Sequence, residues 1–182
     1  MPVLARSLAA AALVAALPLA ASAADDGLEQ HVVNAYAKVR SYQVVVLGSV
    51  RSKGVFNAPD RYQMRTVFGG KPIETVIVGH EYWTQSGGKW QKSGTASNSL
   101  DVDITGMLRN AKANPSHTFV PMAPVSEDGK QVGTFSYTFA SGMPEVCNYD
   151  LKTFLATRCK AQQITLLYSK YNDPSNVVAK VK

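Results

Sequence analysis

The chain has 182 residues, 46% of them hydrophobic, which is about the length of a single domain. Its 19 Lys and Arg residues outnumber 13 Asp and Glu residues and give a formal net charge of +6. The cations are scattered, with no run of Lys or Arg. This scattered distribution of positive charge argues against nucleic-acid binding and favours a solvated basic surface. It gives weaker support for contact with anionic lipid headgroups.

The N-terminal residues have the order of a secretory signal peptide. A short cationic region ending at Arg6 precedes an apolar stretch over residues 8–19, and Ala21-Ser22-Ala23 follows it as a signal-peptidase site. The stretch is shorter than the ~20 apolar residues that a membrane-spanning helix needs, and no cysteine near the cleavage site offers a lipid anchor. We expect residues 1–23 to be removed and residues 24–182 to form one soluble domain in the periplasm, with a net charge of +5 once Arg6 is lost.

Two segments carry apolar residues at helical spacing. Residues 25–39 predict an amphipathic first helix, at whose start Asp26 and Glu29 resemble a capping box. Residues 100–111 predict a second, short helix.

Most of the remaining chain alternates apolar and polar residues, with glycine and proline between the alternating runs. Over residues 61–68, for example, Tyr62, Met64 and Phe68 alternate with polar side chains. Further strands are predicted over residues 41–50, 55–56, 73–78, 82–85, 89–92, 118–120, 131–140, 145–150, 155–160, 163–171 and 176–181. This order of elements predicts an α+β fold built on one strongly curved antiparallel sheet.

Two cysteines, Cys147 and Cys159, fall in two arms of a predicted hairpin. An oxidising compartment favours a disulfide between them. If the turn centres on Thr153, the cysteines face each other on neighbouring strands, with Cα atoms ~4.5 Å apart and within disulfide reach. They are not spaced like zinc ligands, and no histidine pair accompanies them.

The three histidines do not form a catalytic or metal-binding pattern. His31 falls on the first helix, His80 in a turn and His117 at the start of a strand. No nucleophile-elbow motif is present, and no two histidines have metal-ligand spacing. The sequence therefore predicts a protein that is not an enzyme and needs no metal or cofactor.

Residues 42–92 carry a pattern of strands and turns that resembles a known superfamily. Its parts are Ala-Pro-Asp-Arg-Tyr-Gln-Met at residues 58–64, Ile-Val-Gly-His-Glu-Tyr-Trp at 77–83 and Gly-Gly-Lys-Trp at 87–90. Tyr-Asp-Leu-Lys-Thr-Phe-Leu at 149–155 and Tyr-Ser-Lys-Tyr-Asn at 168–172 fit the same pattern. The chain resembles the periplasmic lipoprotein-carrier superfamily, which includes the outer-membrane lipoprotein carrier, mycobacterial lipid-binding lipoproteins and a periplasmic envelope-stress sensor. This resemblance implies an incomplete β-barrel around a helical plug, with an apolar cavity between them.

The resemblance implies a periplasmic carrier, which we expect to be a monomer that holds a lipid, an acyl chain or a lipoprotein. A shielding pocket is needed because each exposed CH₂ of a lipid tail costs ~0.8 kcal/mol in water. The alternative is an envelope signalling or interaction module that docks a membrane-protein partner. Of Trp83 and Trp90, we expect one to line the cavity and the other to stabilise its hairpin. The residues predicted to contact the ligand from the sheet and the covering helix are Val45, Leu47, Met64, Phe68, Ile77, Trp83, Met107, Leu108, Phe135, Phe139 and Leu166.

Overall fold

The computed structural model describes residues 27–95, 108, 117–138 and 144–181. Within these ranges, helix α1 (Leu28–Tyr36) precedes eleven strands. The strands are β1 (Ser41–Leu47), β2 (Ser52–Asn57), β3 (Arg61–Phe68), β4 (Lys71–Val78), β5 (Glu81–Ser86), β6 (Lys89–Thr95), β7 (Thr118–Glu127), β8 (Lys130–Thr138), β9 (Pro144–Tyr149), β10 (Ala156–Ala161) and β11 (Ile164–Ser169). In the described part of the chain, no helix is both long and apolar enough to cross a membrane.

The strands form a single antiparallel sheet in the order β6-β5-β4-β3-β2-β1-β11-β10-β9-β8-β7. Two meanders, β1–β6 and β7–β11, join where β1 pairs with β11. Tight turns separate the hairpin strands, and Gly69 and Gly70 between β3 and β4 both have positive φ, which glycine adopts without a Cβ clash. Strands β6 and β7 are the edges of this sheet, so it is open. The predicted antiparallel sheet is confirmed, and its open form fits a half-barrel.

One face of the sheet, here called the inner face, carries the core. Tyr42 and Val44 of β1, Phe56 of β2 and Phe135 of β8 are buried in the same cluster as residues of α1. Because side chains alternate along a strand, the intervening residues lie on the opposite face, here called the outer face.

Helix α1 packs on the inner face at the end where β9 turns into β10. The hydroxyl of Tyr36 accepts a hydrogen bond from the Ala156 backbone N–H at 3.0 Å, and the ring of His31 stacks on Phe154 with the ring centroids 5.1 Å apart. Leu108, from the predicted second helix, is fully buried in the same core cluster. The rest of residues 100–111 lies outside the described residues.

The start of α1 differs from its prediction. Its N-cap is Gly27, which makes no side-chain capping hydrogen bond, and Asp26 lies outside the described residues. The Glu29 carboxylate does not turn back to the helix start but binds Nε2 of His117 at 2.6 Å. This pair joins α1 to the start of β7.

The prediction of a last strand over residues 176–181 is wrong, because this segment has no strand to pair with. It lies on the outer face, where side chains take the place of a neighbouring strand. Arg61 donates to the Ala179 carbonyl at 3.0 Å, the Ala179 N–H donates to Gln63 at 2.9 Å, and Asn57 donates to the Asn176 carbonyl at 3.3 Å. Both edges of β1 are already paired, with β2 and β11, so the segment crosses above the sheet.

The predicted disulfide between Cys147 and Cys159 is confirmed. The two residues are direct partners in the β9–β10 register, with their Cα atoms 4.1 Å apart. Asp150 accepts hydrogen bonds from the N–H groups of Lys152 and Thr153 and so closes the turn between the two strands. Both cysteines are fully buried on the inner face.

Candidate functional site

One row of inner-face residues crosses nine strands and changes from buried to exposed along its length. Its members, in pairing order from β4 to β7, are Ile73, Thr66, Ser52, Val46, Leu166, Cys159, Cys147, Phe135 and Pro121. Phe135 and both cysteines are fully buried, whereas Ile73 at the other end of the row is 45% exposed. Along this row the inner face therefore changes from a closed core at Phe135 and the cysteines to an exposed apolar surface at Ile73.

The open part of this face forms a groove with a volume of about 470 Å³. It lies at the end of the sheet where β1 turns into β2, β3 into β4 and β10 into β11. The residues that line it are Val46, Gly48, Ser49, Val50, Ser52, Thr66, Phe68, Ile73 and Ile164.

The groove exposes large apolar side chains to water. Phe68 is 67% exposed, Ile73 45% and Ile164 47%. Full burial of one such side chain contributes ~1.5–3 kcal/mol. An apolar molecule that covers all three side chains therefore gains binding free energy from each of them. A contiguous exposed apolar surface of this kind is typical of a binding site.

Aromatic rings fill the remainder of the inner face and set the limit of the groove. The Tyr62 ring lies directly over Gly54, where a Cβ would come within 2.2 Å of the Tyr62 hydroxyl. Tyr149 covers Gly133 in the same way, with 2.0 Å between a Cβ and the ring. The two glycines let the rings pack flat on the sheet, and the groove begins one row beyond Gly54, at Ser52 and Thr66.

The predicted ligand-contact residues divide between the two faces. The pairing register places Met64, Phe68, Ile77, Phe135 and Leu166 on the inner face. Of these five, Phe68 lines the groove, whereas Ile77, Phe135 and Leu166 are buried in the core together with Leu108.

The placement of Val45, Leu47 and Trp83 on the inner face is wrong. Val44 and Val46 point inward, so the odd-numbered residues of β1 point outward, and Trp83 pairs with Val76 on the outer face. Trp83 pairs with Lys92 and Trp90 with Gln85, so the two tryptophans are not direct cross-strand partners. Met107 and Phe139 lie outside the described residues. That the inner-face residues bind a ligand stays a prediction.

The sequence analysis missed two hydroxyl residues in the groove. The Oγ of Ser52 and Oγ1 of Thr66 lie 2.8 Å apart, across the β2–β3 pair. Thr66 falls between Met64 and Phe68 on the face that the alternation had assigned as apolar. A polar residue inside an apolar alternation was the signal that could have identified it.

The titratable groups of the described residues do not converge on the groove. His117 pairs with Glu29 and stacks on Tyr137, at a centroid distance of 5.4 Å. Burial raises the pKa of Tyr137 to about 12, and the Glu29 carboxylate adds to this shift. Burial also raises the pKa of the Glu145 carboxyl. Glu145 lies close to both cysteine sulfurs, but the disulfide leaves no thiolate there to bind a metal.

These features define a class of protein: an open antiparallel sheet with a helix and an apolar groove on its inner face. Solved structures share this fold. The lipoprotein LppX of Mycobacterium tuberculosis matches with a TM-score of 0.60 and 14% sequence identity, over 85% of this chain and 100% of LppX. LprF of Mycobacterium bovis matches with a TM-score of 0.57 and 13% identity, over 87% of this chain and 99% of LprF.

The predicted resemblance therefore holds for the fold, which this chain shares with LppX and LprF. The complex of MucA and MucB from Pseudomonas aeruginosa matches over 84% of this chain and 60% of the solved chain, at 10% identity and a TM-score of 0.46. No protein-family profile and no curated protein sequence matches this chain.

Proposed function

We propose that this protein is a periplasmic binding protein that holds a lipid or acyl chain in the inner-face groove and shields it from water. The observation that carries the proposal is the exposure of Phe68, Ile73 and Ile164 around one concavity of about 470 Å³. This volume lies within the ~300–1,000 Å³ range of small-molecule pockets. The fold shared with LppX, a lipoprotein of Mycobacterium tuberculosis, and with LprF adds support.

The chemistry of the groove favours a hydrocarbon chain over a charged ligand. No Lys, Arg, Asp or Glu is among the residues that line it. The driving force is the transfer of apolar area from water, so that each CH₂ of a bound chain contributes ~0.8 kcal/mol. The open side of the groove leaves room for a headgroup in solvent.

Two neighbouring substitutions test the proposal. Phe68 and Val67 are adjacent on β3, are 67% and 50% exposed, and point to the inner and outer faces respectively. Phe68→Glu places a carboxylate in the path of the chain, and we expect it to weaken binding of a fluorescent fatty acid by about tenfold or more. Val67→Glu adds the same charge outside the groove and is expected to leave binding unchanged.

Circular dichroism and thermal melting check that both variants keep the fold, as expected for exposed positions. Equal binding by the wild type and Phe68→Glu would refute the groove as the binding site. A native mass spectrum of protein purified from the periplasm gives a second readout. An associated membrane protein with no lipid in that spectrum would favour the interaction-module alternative.

A further inference from the structure

Two hydroxyl groups give the otherwise apolar groove a single polar point. Ser52 is 7% exposed and pairs with Thr66 across β2 and β3, with 2.8 Å between the two hydroxyl oxygens. On either side in the same row lie Val46 and Ile73. The pair therefore sits in the floor of the groove, between two apolar walls.

One O–H donor of the hydroxyl pair is not used in the bond between Ser52 and Thr66. Two hydroxyls carry two protons, and the bond between them uses one. Among the described residues neither side chain makes another hydrogen bond. One O–H is therefore available to a group in the groove. A hydroxyl that an apolar ligand covered without a partner would lose its hydrogen bonds to water, at a cost of ~1–3 kcal/mol.

We propose, resting on the proposed function, that Ser52 and Thr66 form a subsite that donates a hydrogen bond to the carbonyl oxygen of an acyl group. The groove then selects an acyl ester or a fatty acid over a plain hydrocarbon of the same length. The selection is a difference in affinity, because a hydrocarbon leaves the buried O–H unpaired and an acyl carbonyl does not. The carbonyl lies at the row of Ser52 and Thr66, and the chain covers Phe68 and Ile73.

The double variant Ser52→Ala with Thr66→Val removes both hydroxyls and retains similar side-chain volumes. Removal of both partners of a hydrogen bond is close to neutral for stability, so the fold is expected to persist. Thr75→Val is the matched control. Thr75 lies on the inner face of β4, opposite Met64, and does not line the groove.

Binding is measured by displacement of the fluorescent apolar dye N-phenyl-1-naphthylamine, with methyl dodecanoate, dodecanoate and tridecane as competitors. We expect the wild type and Thr75→Val to bind a carbonyl ligand about fivefold or more tighter than tridecane, the ratio that corresponds to the ~1 kcal/mol of one net hydrogen bond. The double variant is expected to lose this preference and to bind tridecane more tightly than the wild type does, because no buried O–H is left unpaired. The competitor that loses more affinity in the double variant, methyl dodecanoate or dodecanoate, identifies whether the subsite recognises an ester or a free carboxylate.

Two results would overturn the inference. If the wild type binds tridecane as tightly as the carbonyl ligands, or if the double variant keeps the preference, then the hydroxyl pair is a cross-strand contact alone and the proposed function stands without it. If the wild type binds none of the three competitors, the proposed function fails and the subsite fails with it.

Discussion

The disulfide between Cys147 and Cys159 allows a stability prediction whose size follows from its place in the chain. The cysteines are 12 positions apart, so the bridge closes a loop of about 13 residues. The chain-entropy model gives ~3 kcal/mol for a loop of this length. Both side chains are fully buried, so alanine is the appropriate replacement, because serine would bury an unpaired hydroxyl.

We expect the double variant Cys147→Ala/Cys159→Ala to unfold with a free energy ~3 kcal/mol lower than the wild type. For a protein of this size that loss corresponds to a fall in Tm of roughly 6–12 °C. Urea titration followed by circular dichroism measures the free energy, and a thermal scan measures the Tm. Neither cysteine lines the groove, so ligand affinity is expected to stay unchanged.

The single variant Cys147→Ala separates the bridge from the packing of two small side chains. It breaks the same bond, so it should lose nearly as much as the double variant, and the two losses should not add. A double variant with a Tm within ~2 °C of the wild type would refute this reasoning. It would mean that the hairpin holds the two strands together in the unfolded chain without the bridge.

Three further predictions follow from single residues. Gly133→Ala places a Cβ within 2.0 Å of the buried Tyr149 ring and should lower the free energy of unfolding in urea by ~1–3 kcal/mol. Gly94→Ala is the control, because a Cβ there meets nothing within 4 Å and should change stability by less than ~0.5 kcal/mol. Equal losses in the two variants would exclude the ring clash as the cause. Because burial raises the pKa of Glu145 above its usual 4.5, the contribution of Glu145 to the free energy of unfolding should be highest below that pH and fall as the pH rises through the pKa of the folded state. Urea titrations across this pH range should show that Glu145→Gln removes that fall, and an unchanged slope would contradict the assignment. N-terminal sequencing of the secreted protein should begin at Ala24, and retention of Met1 in a membrane fraction would contradict the signal peptide.

Local patterns in the sequence were sufficient to predict most of the individual strands and the disulfide. Alternation along residues 61–68 predicted a strand that the structure places at Arg61–Phe68, without a shift of either end. The position of the two cysteines on a short hairpin predicted the disulfide, because a turn centred near Thr153 places Cys147 opposite Cys159. Both inferences depend on neighbours along the chain, and such neighbours are fixed by strand geometry.

The choice of face could not be made locally. In β1 the run from Val44 to Leu47 is apolar on both sides, so the sequence contains no signal for which side meets the core. The same ambiguity misplaced Trp83. The pairing of β1 with both β2 and β11 decides the face, and it turns Val44 and Val46 inward. The face that meets the core is a consequence of tertiary structure, because the strands and the helix that cover it come from far along the chain.

The sequence by itself determined most of the strands, the disulfide and an excess of apolar side chains over what two helices at most could cover. Only the tertiary structure decided where that excess forms a core and where it forms a groove. Phe135 and Phe68 are both aromatic residues of alternating strands, yet one is fully buried and the other is 67% exposed. The physical reason is that α1 and the rings of Tyr62 and Tyr149 fill one part of the inner face, while three turns brought together by strand pairing leave another part open.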